Sequence, residues 1–435
     1  MIKETIDAFI EAKKEEILSD ISHLVGFHSI NGQTMQTKAC LQYFLKRAED
    51  FGFRTMNTSN WDVGIVEMGE GDETLGILVH VDVVGIGDID KWTNDPFECV
   101  RRDGFLWGRG VQDDKGAAVM SLYALKAVKD LGLPMHRKVW LIVGTSEESV
   151  WTDIASFKRE FPQPNFGFSP DGQFPIYNIE KGYADLVLEF KQDGKRGLRH
   201  LQGGESPNTI PSKAEITLKD GQTIVVNGIS SHSSLPEEGD NAIIKLCNEL
   251  RKKGDIEHDF VKFIAGFIQN DGRARNLQID DENDSLDGEY IGLTTIAPTV
   301  IALQNDAVQL TLNIRQKFGT TREMILNAIT AYADEFHYEF SVLDYLDPMR
   351  VSRKLPFLKV MGEVSEEYGI DSSFRHARGT SYAKSMGNFV SWGPVLPEDP
   401  ETAHMEDERI SIKTVILASK LYARFIERMV VVENV

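Results

Sequence analysis

The segment from residue 75 to residue 145 constrains the fold more than any other. "LGILVH" at 75–80 is a continuous apolar run of the kind that fills a strand covered on both faces, and "KVWLIVGT" at 138–145 is a second. Between them "DDKGAAVMSLYALKAVKDLG" opens on acids and closes on Gly132, which suit the two ends of a helix. Strand, helix, strand with apolar strands predicts a mostly parallel α/β sheet with helices on both faces. Past Lys181 the pattern changes. "YADLVLEF", "AEITLKD", "QTIVVNG" and "AVQLTLNIRQ" read as alternating strands, with helices near 240–253 and 321–335. The expected architecture is therefore an α/β domain over 1–183 and 346–435, interrupted by an α+β insert over 184–345. Ile6, Phe9, Ile10, Ile17, Ile21 and Leu24 form one apolar stripe, which predicts a helix over 4–26. Two more helices are predicted in "SRKLPFLKVMGEVSEEYGI" and "SIKTVILASKLYARFIERMV".

Composition narrows the function classes. A chain of 435 residues, 41% of them apolar, can build more than one core. A net charge of −20 argues against a nucleic-acid partner, which would need clustered Lys and Arg. Cys40, Cys99 and Cys247 are far apart and show neither metal spacing nor a disulfide framework. The N-terminus has charges throughout and no signal-peptide core, and no stretch reaches the ~20 apolar residues of a membrane span. A soluble, cytoplasmic protein without a membrane partner is expected.

Chemistry concentrates at strand ends. His80 ends the first strand and Asp82 follows it; Glu147 and Glu148 follow the second strand; Asp113 and Asp114 open the intervening helix. Each group alone is more often structural: a buried histidine bonded to a carbonyl, a solvated turn, a helix cap. Together they lie beyond the carboxyl ends of parallel strands, where ligands collect in open α/β sheets. So many acids on one rim repel unless a cation joins them. Nitrogen and oxygen donors without thiolate suit two divalent ions, zinc first, with manganese or cobalt as alternatives. Asp82 would then orient His80 by accepting its other N–H.

"HVDVV", "GRGVQDDKG", "TSEES" and "FSPDGQFP" resemble, in order and spacing, the dinuclear metallopeptidases that include aminoacylase, glutamate carboxypeptidase, acetylornithine deacetylase and succinyl-diaminopimelate desuccinylase. The resemblance runs from about residue 75 to His404 and is nearest to the bacterial PepV-type dipeptidases. It implies that His80 and Asp171 bind one metal, that Glu148 and His404 bind the other, and that Asp113 bridges them. Glu147 would be the general base and Asp82 the orienter of His80. The insert would be a lid of the longer kind, as in monomeric members, so a monomer is expected, with a dimer as the alternative. In that lid the resemblance places His232 at the substrate and Arg315 on its carboxylate, a task suited to a guanidinium fork; Asn208 is a further polar contact. Gly379 and Thr380 correspond to the family's Gly-rich, carboxylate-binding loop, where Arg378 replaces an expected small residue. In the family it resembles, an aspartate at the position of Asp171 goes with peptidases acting on a free amino terminus, so the resemblance implies a small unblocked peptide, a dipeptide, as substrate. An N-acyl amino-acid deacylase is the alternative reading, and a non-catalytic metal- or peptide-binding protein a third, against which Glu147 argues.

Overall fold

The computed structural model describes residues 2–191, 198–253, 258–268, 272–273, 275–281 and 283–431. The chain divides into two compact units. The first comprises Met1–Asn178, Val351–Arg375 and Ser381–Val435, and the second Ile179–Arg350 and His376–Thr380.

In chain order the elements that matter here begin with β1 (Gly64–Met68), β2 (Thr74–His80), α1 (Lys115–Asp130), β3 (Lys138–Gly144), α2 (Thr152–Glu160) and β4 (Phe166–Ser169). The second unit contributes β5 (Tyr183–Lys191), β6 (Leu198–Gly203), β7 (Lys213–Leu218), β8 (Thr223–Asn227), α3 (Ala242–Lys253), α4 (Asp259–Phe267), β9 (Thr295–Gln304), β10 (Ala307–Arg315) and β11 (Tyr338–Leu346). The chain then returns to the first unit with β12 (Phe389–Trp392) and α5 (Ile412–Val430).

In the first unit β3, β2, β4 and β12 lie side by side and parallel, while β1 pairs antiparallel with β3. The sheet is thus mixed, with its parallel part at the centre. All seven residues of β2 are buried, which is why its sequence is continuously apolar instead of alternating. Leu78 and Ile142 pack with Ile154 and Phe157 of α2 on one face. On the other face α1 and α5 pack against each other and against the sheet. The strands also approach closely: a Cβ at Gly167 would lie 2.1 Å from the Gly76 carbonyl oxygen, so only glycine fits there. The predicted helix over 4–26 is two helices, Ile2–Ala12 and Lys14–Val25, divided at Lys13. The apolar stripe continues across the break, so periodicity alone does not show it.

The second unit is built on one antiparallel sheet in the order β8, β7, β6, β9, β10, β5, β11. Its β5 alternates buried and open positions, as expected of a sheet with one covered face. Leu186, Leu188, Leu310 and Leu312 from that face pack with Leu246 and Leu250 of α3 and Phe260 and Phe263 of α4. Strand β9 and helix α4 were not legible in the sequence; Ala297 and Pro298 interrupt the strand's β-branched pattern, and its register with β10 shifts there.

Candidate metal centre

Parallel β2 and β3 place His80 directly beside Gly144, so the residues that follow each strand emerge at one edge of the first unit. His80 is fully buried, and its Nδ1 lies 3.0 Å from the backbone oxygen of Asp82. That bond puts the Nδ1 proton on a carbonyl and turns Nε2 toward Asp113 Oδ1 at 3.0 Å and Asp171 Oδ2 at 3.9 Å. On the far side of Asp113, His404 Nε2 lies 3.1 Å from Asp113 Oδ2 and 3.1 Å from Glu148 Oε2. Asp113 therefore faces both histidines, one with each oxygen. Two sets of side chains converge closely enough to share an ion: His80 with Glu147 and Asp171, and His80 with Asp113 and Glu148, each with donor atoms within 4.8 Å of one another.

The Asp82 carboxylate, expected to accept the other N–H of His80, is not the nearer acceptor and grips the backbone instead. Its Oδ1 is 3.4 Å from His80 Nδ1, farther than the Asp82 carbonyl, while Oδ1 and Oδ2 accept the backbone N–H groups of Glu147 at 3.3 Å and Glu148 at 3.1 Å. Asp153 does the same one step earlier, accepting from Thr145 N at 2.8 Å and Ser146 N at 3.0 Å, and it pairs with the Tyr382 hydroxyl. Four consecutive amides are thus held by two buried carboxylates. This fixes the turn that carries Glu147 and Glu148.

The Asp113 loop has its own anchor. Glu408 is fully buried, takes Arg109 Nη1 on Oε2 at 2.7 Å, and accepts on Oε1 from the amides of Gly110, Gln112 and Asp113 at 3.0, 2.9 and 3.2 Å. Gln112 Oε1 in turn accepts from Thr402 N at 2.7 Å and Ala403 N at 2.6 Å, immediately before His404. Removing one partner of such a buried pair costs about 3–5 kcal/mol. Arg109, Gln112, Glu408, Asp153 and Tyr382 escaped the sequence reading; the first two lie inside the quoted "GRGVQDDKG", so their types were visible and their partners were not.

The electrostatics describe a site that demands positive charge. Burial works against a charged His80, yet Asp113 and Asp82 hold its pKa well above the ordinary imidazole value. Hydrogen bonds to Asp113 and Glu148 push His404 up to about 11. Burial, then the Asp171 charge, raises Glu147 well above the carboxylate range; burial, then Asp113, raises Asp171 to about 7. Protons collect where the acids crowd, and divalent cations would neutralise the same acids. His80 Nε2 and Asp113 Oδ1, 3.0 Å from each other, and Glu148 Oε1 are buried, and none of the three makes a well-aligned hydrogen bond among the described residues. Orphaned nitrogen and oxygen atoms aimed at one place, with no sulfur, fit a divalent-metal site.

The other expected site residues lie in the second unit, where His232, Asn208 and Arg315 come together around Ser233. His232 pairs across a two-residue bridge with Thr209, and Ser233 N donates to the Asn208 oxygen at 2.8 Å. Arg315 Nη2 reaches Ser233 Oγ at 3.3 Å, and its Nε donates to Asn313 Oδ1 at 3.0 Å. Ser234 N donates to His232 Nδ1 at 3.1 Å, and burial, then the Arg315 charge, lowers the His232 pKa. Since a backbone amide can only donate, Nδ1 is the acceptor and the neutral ring carries its proton on Nε2. His232 is thereby set as a hydrogen-bond donor. The segment His376–Thr380 groups with this unit, and Arg378 pairs there with Glu237.

The profile of peptidase family M20/M25/M40 matches residues 76–428. The "Putative dipeptidase YtjP" of Bacillus subtilis (strain 168) is 32% identical over 95% of this chain and 97% of its own. The "Beta-Ala-Xaa dipeptidase" of Lactobacillus delbrueckii subsp. lactis is 27% identical over 96% of each. Among solved structures, the aminoacylhistidine dipeptidase from Vibrio alginolyticus superposes with a TM-score of 0.67 at 13% identity, covering 96% of this chain and 97% of that one. That likeness concerns the fold; the profile, which covers most of the chain and every candidate metal ligand, shows that this protein belongs to peptidase family M20/M25/M40.

Proposed function

We propose that the protein is a metal-dependent dipeptidase that hydrolyses the amide bond of unblocked dipeptides, with Glu147 as general base. The observation that carries this reading is the convergence of His80, Asp113, Glu148, Asp171 and His404 beside a sixth group, Glu147, which follows the same strand as Glu148. His80 and Asp171 would hold one divalent ion, Glu148 and His404 the other, and Asp113 both. Bound there, the ions, zinc before manganese or cobalt, would acidify a water and polarise the scissile carbonyl.

The remaining work belongs to side chains. Glu147 takes the proton of the attacking water and passes it to the leaving amine. Asp82 keeps His80 turned and holds the Glu147 amide, so the base and its neighbouring ligand share one rigid turn. From the second unit, which we assign as a lid, the Nε2–H of His232 would donate a hydrogen bond to the oxyanion. Arg315 binds the substrate carboxylate, with Asn208, Gly379 and Thr380 as further polar contacts. The acidic first unit suits the other end of the substrate, a free ammonium group. The names of the two relatives that span nearly the whole chain support a dipeptide substrate. Among the described residues no helix is long and apolar enough to cross a membrane. We assign the enzyme to the cytoplasm, acting on small peptides as a monomer.

The test is kcat/KM for Ala-Ala, its N-acetyl derivative and N-acetylalanine. Preference for the free dipeptide by about tenfold or more, the loss of one charge-assisted contact, supports the reading. Preference for either acylated compound replaces it with a deacylase.

A further inference from the structure

The second unit holds a basic cluster to which no role has been given. Lys181 is buried at 5% exposure, and its backbone N–H donates to Ala377 O at 3.2 Å, which ties the His376–Thr380 segment to the start of β5. Gly292, at φ +75°, lets both His376 and Lys181 pack against its backbone: a Cβ there would lie 2.9 Å from His376 Nε2 and 3.3 Å from Lys181 Cε. The Tyr290 ring stands edge-on to His376, with centroids 5.7 Å apart. His376 Nε2 is buried and has no hydrogen-bond partner among the described residues. Arg378, two residues on, is half exposed and pairs with an equally exposed Glu237. An exposed pair of this kind is weak, so a competing carboxylate can take the guanidinium from Glu237.

We propose that Lys181, His376 and Arg378 form an anion pocket that receives the acidic side chain of a dipeptide's second residue, so that the enzyme favours dipeptides ending in Asp or Glu. This rests on the dipeptidase reading, which gives the terminal carboxylate to Arg315 and the adjoining Gly379 loop. Lys181 and Arg378, two cations beside that loop with the uncharged His376 ring next to Lys181, suit a second carboxylate, and the guanidinium fork of Arg378 matches it. The local field agrees. Burial first, then Arg378, draws the Lys181 ammonium down to about 8, with Glu237 opposing and Arg315 and Arg273 adding to the effect. Burial, then Lys181 and Arg378, takes His376 down to about 4. Such a concentration of positive charge stands out in a chain of net charge −20, and it selects for anions by attraction and against cationic side chains by repulsion.

The test compares kcat/KM for Ala-Glu, Ala-Gln and Ala-Lys in the metal-loaded wild type and in Arg378→Ala, Arg378→Glu and Lys181→Met. Each selectivity is a ratio within one protein, so a general loss of folded enzyme cancels. The wild type should prefer Ala-Glu to Ala-Gln by about tenfold or more, chiefly through KM. That ratio should fall below about threefold in Arg378→Ala and Lys181→Met, and Arg378→Glu should turn the preference toward Ala-Lys. Hydrolysis of Ala-Gln as fast as Ala-Glu by the wild type, or an unchanged ratio in the variants, overturns the pocket while the dipeptidase reading stands. Hydrolysis of N-acyl amino acids but of no free dipeptide overturns both.

Discussion

The two units carry opposite chemistry on opposite kinds of scaffold. In the first, His80, Glu147, Glu148 and Asp171 end or follow parallel strands while Asp113 and His404 stand on loops, and buried carboxylates grip the backbone that carries Glu147, Glu148 and Asp113. In the second, the cations Lys181, Arg315 and Arg378, together with Asn208 and a neutral His232, stand on loops or strand ends. The acidic region suits metal ions and an ammonium group; the basic region suits carboxylates.

This contrast can be broken from either side. The largest effect is expected at the acidic end: Asp113→Ala removes the one carboxylate that faces both histidines, so turnover should fall about 10³-fold or more, and elemental analysis should find less than one ion per chain. On the basic side His232→Ala should cost about 10²–10³ in kcat, the usual loss for an oxyanion donor, with metal content unchanged. Metal loss in that variant would mean that the two regions do not divide the work as described.

Smaller effects sharpen the comparison. Glu408→Gln and Gln112→Ala loosen the loops of Asp113 and His404 without touching a ligand; metal affinity in a chelator titration should weaken about 10–100-fold, and turnover at saturating metal should largely return. The smallest effect is a pH dependence. Lys181 is charged below about 8 and neutral above it, among Arg378, Arg315, Arg273 and Glu237. Above that pH one attraction for an acidic side chain is lost, so KM for Ala-Glu should rise about three- to tenfold between pH 7 and 9 while KM for Ala-Ala changes less.

The acidic site was legible because parallel strands turn sequence order into geometry: whatever follows "LGILVH" and "LIVG" must emerge at the same edge. Asp171 and His404 were legible only through their resemblance to a family, since "SPDG" and "TAHMED" are ordinary turn sequences. The anchors Glu408 and Asp153 could not be read at all. Their partners are backbone amides, which leave no mark on residue type, and Glu408 stands nearly 300 positions from the Asp113 loop it holds. Likewise, nothing in "HARGT" shows that these five residues group with the insert and not with the domain on either side of them.

The central claim is that neighbouring glutamates divide the labour, Glu147 moving protons and Glu148 holding metal. The most direct measurement is metal content and kcat, side by side, for Glu147→Ala and Glu148→Ala. The expected result is Glu147→Ala with metal content like the wild type and kcat lower by about 10²–10⁴, the range for a lost general acid–base group, and Glu148→Ala depleted in metal. A Glu147→Ala protein that is metal-depleted, yet fully active once metal is restored, would contradict it.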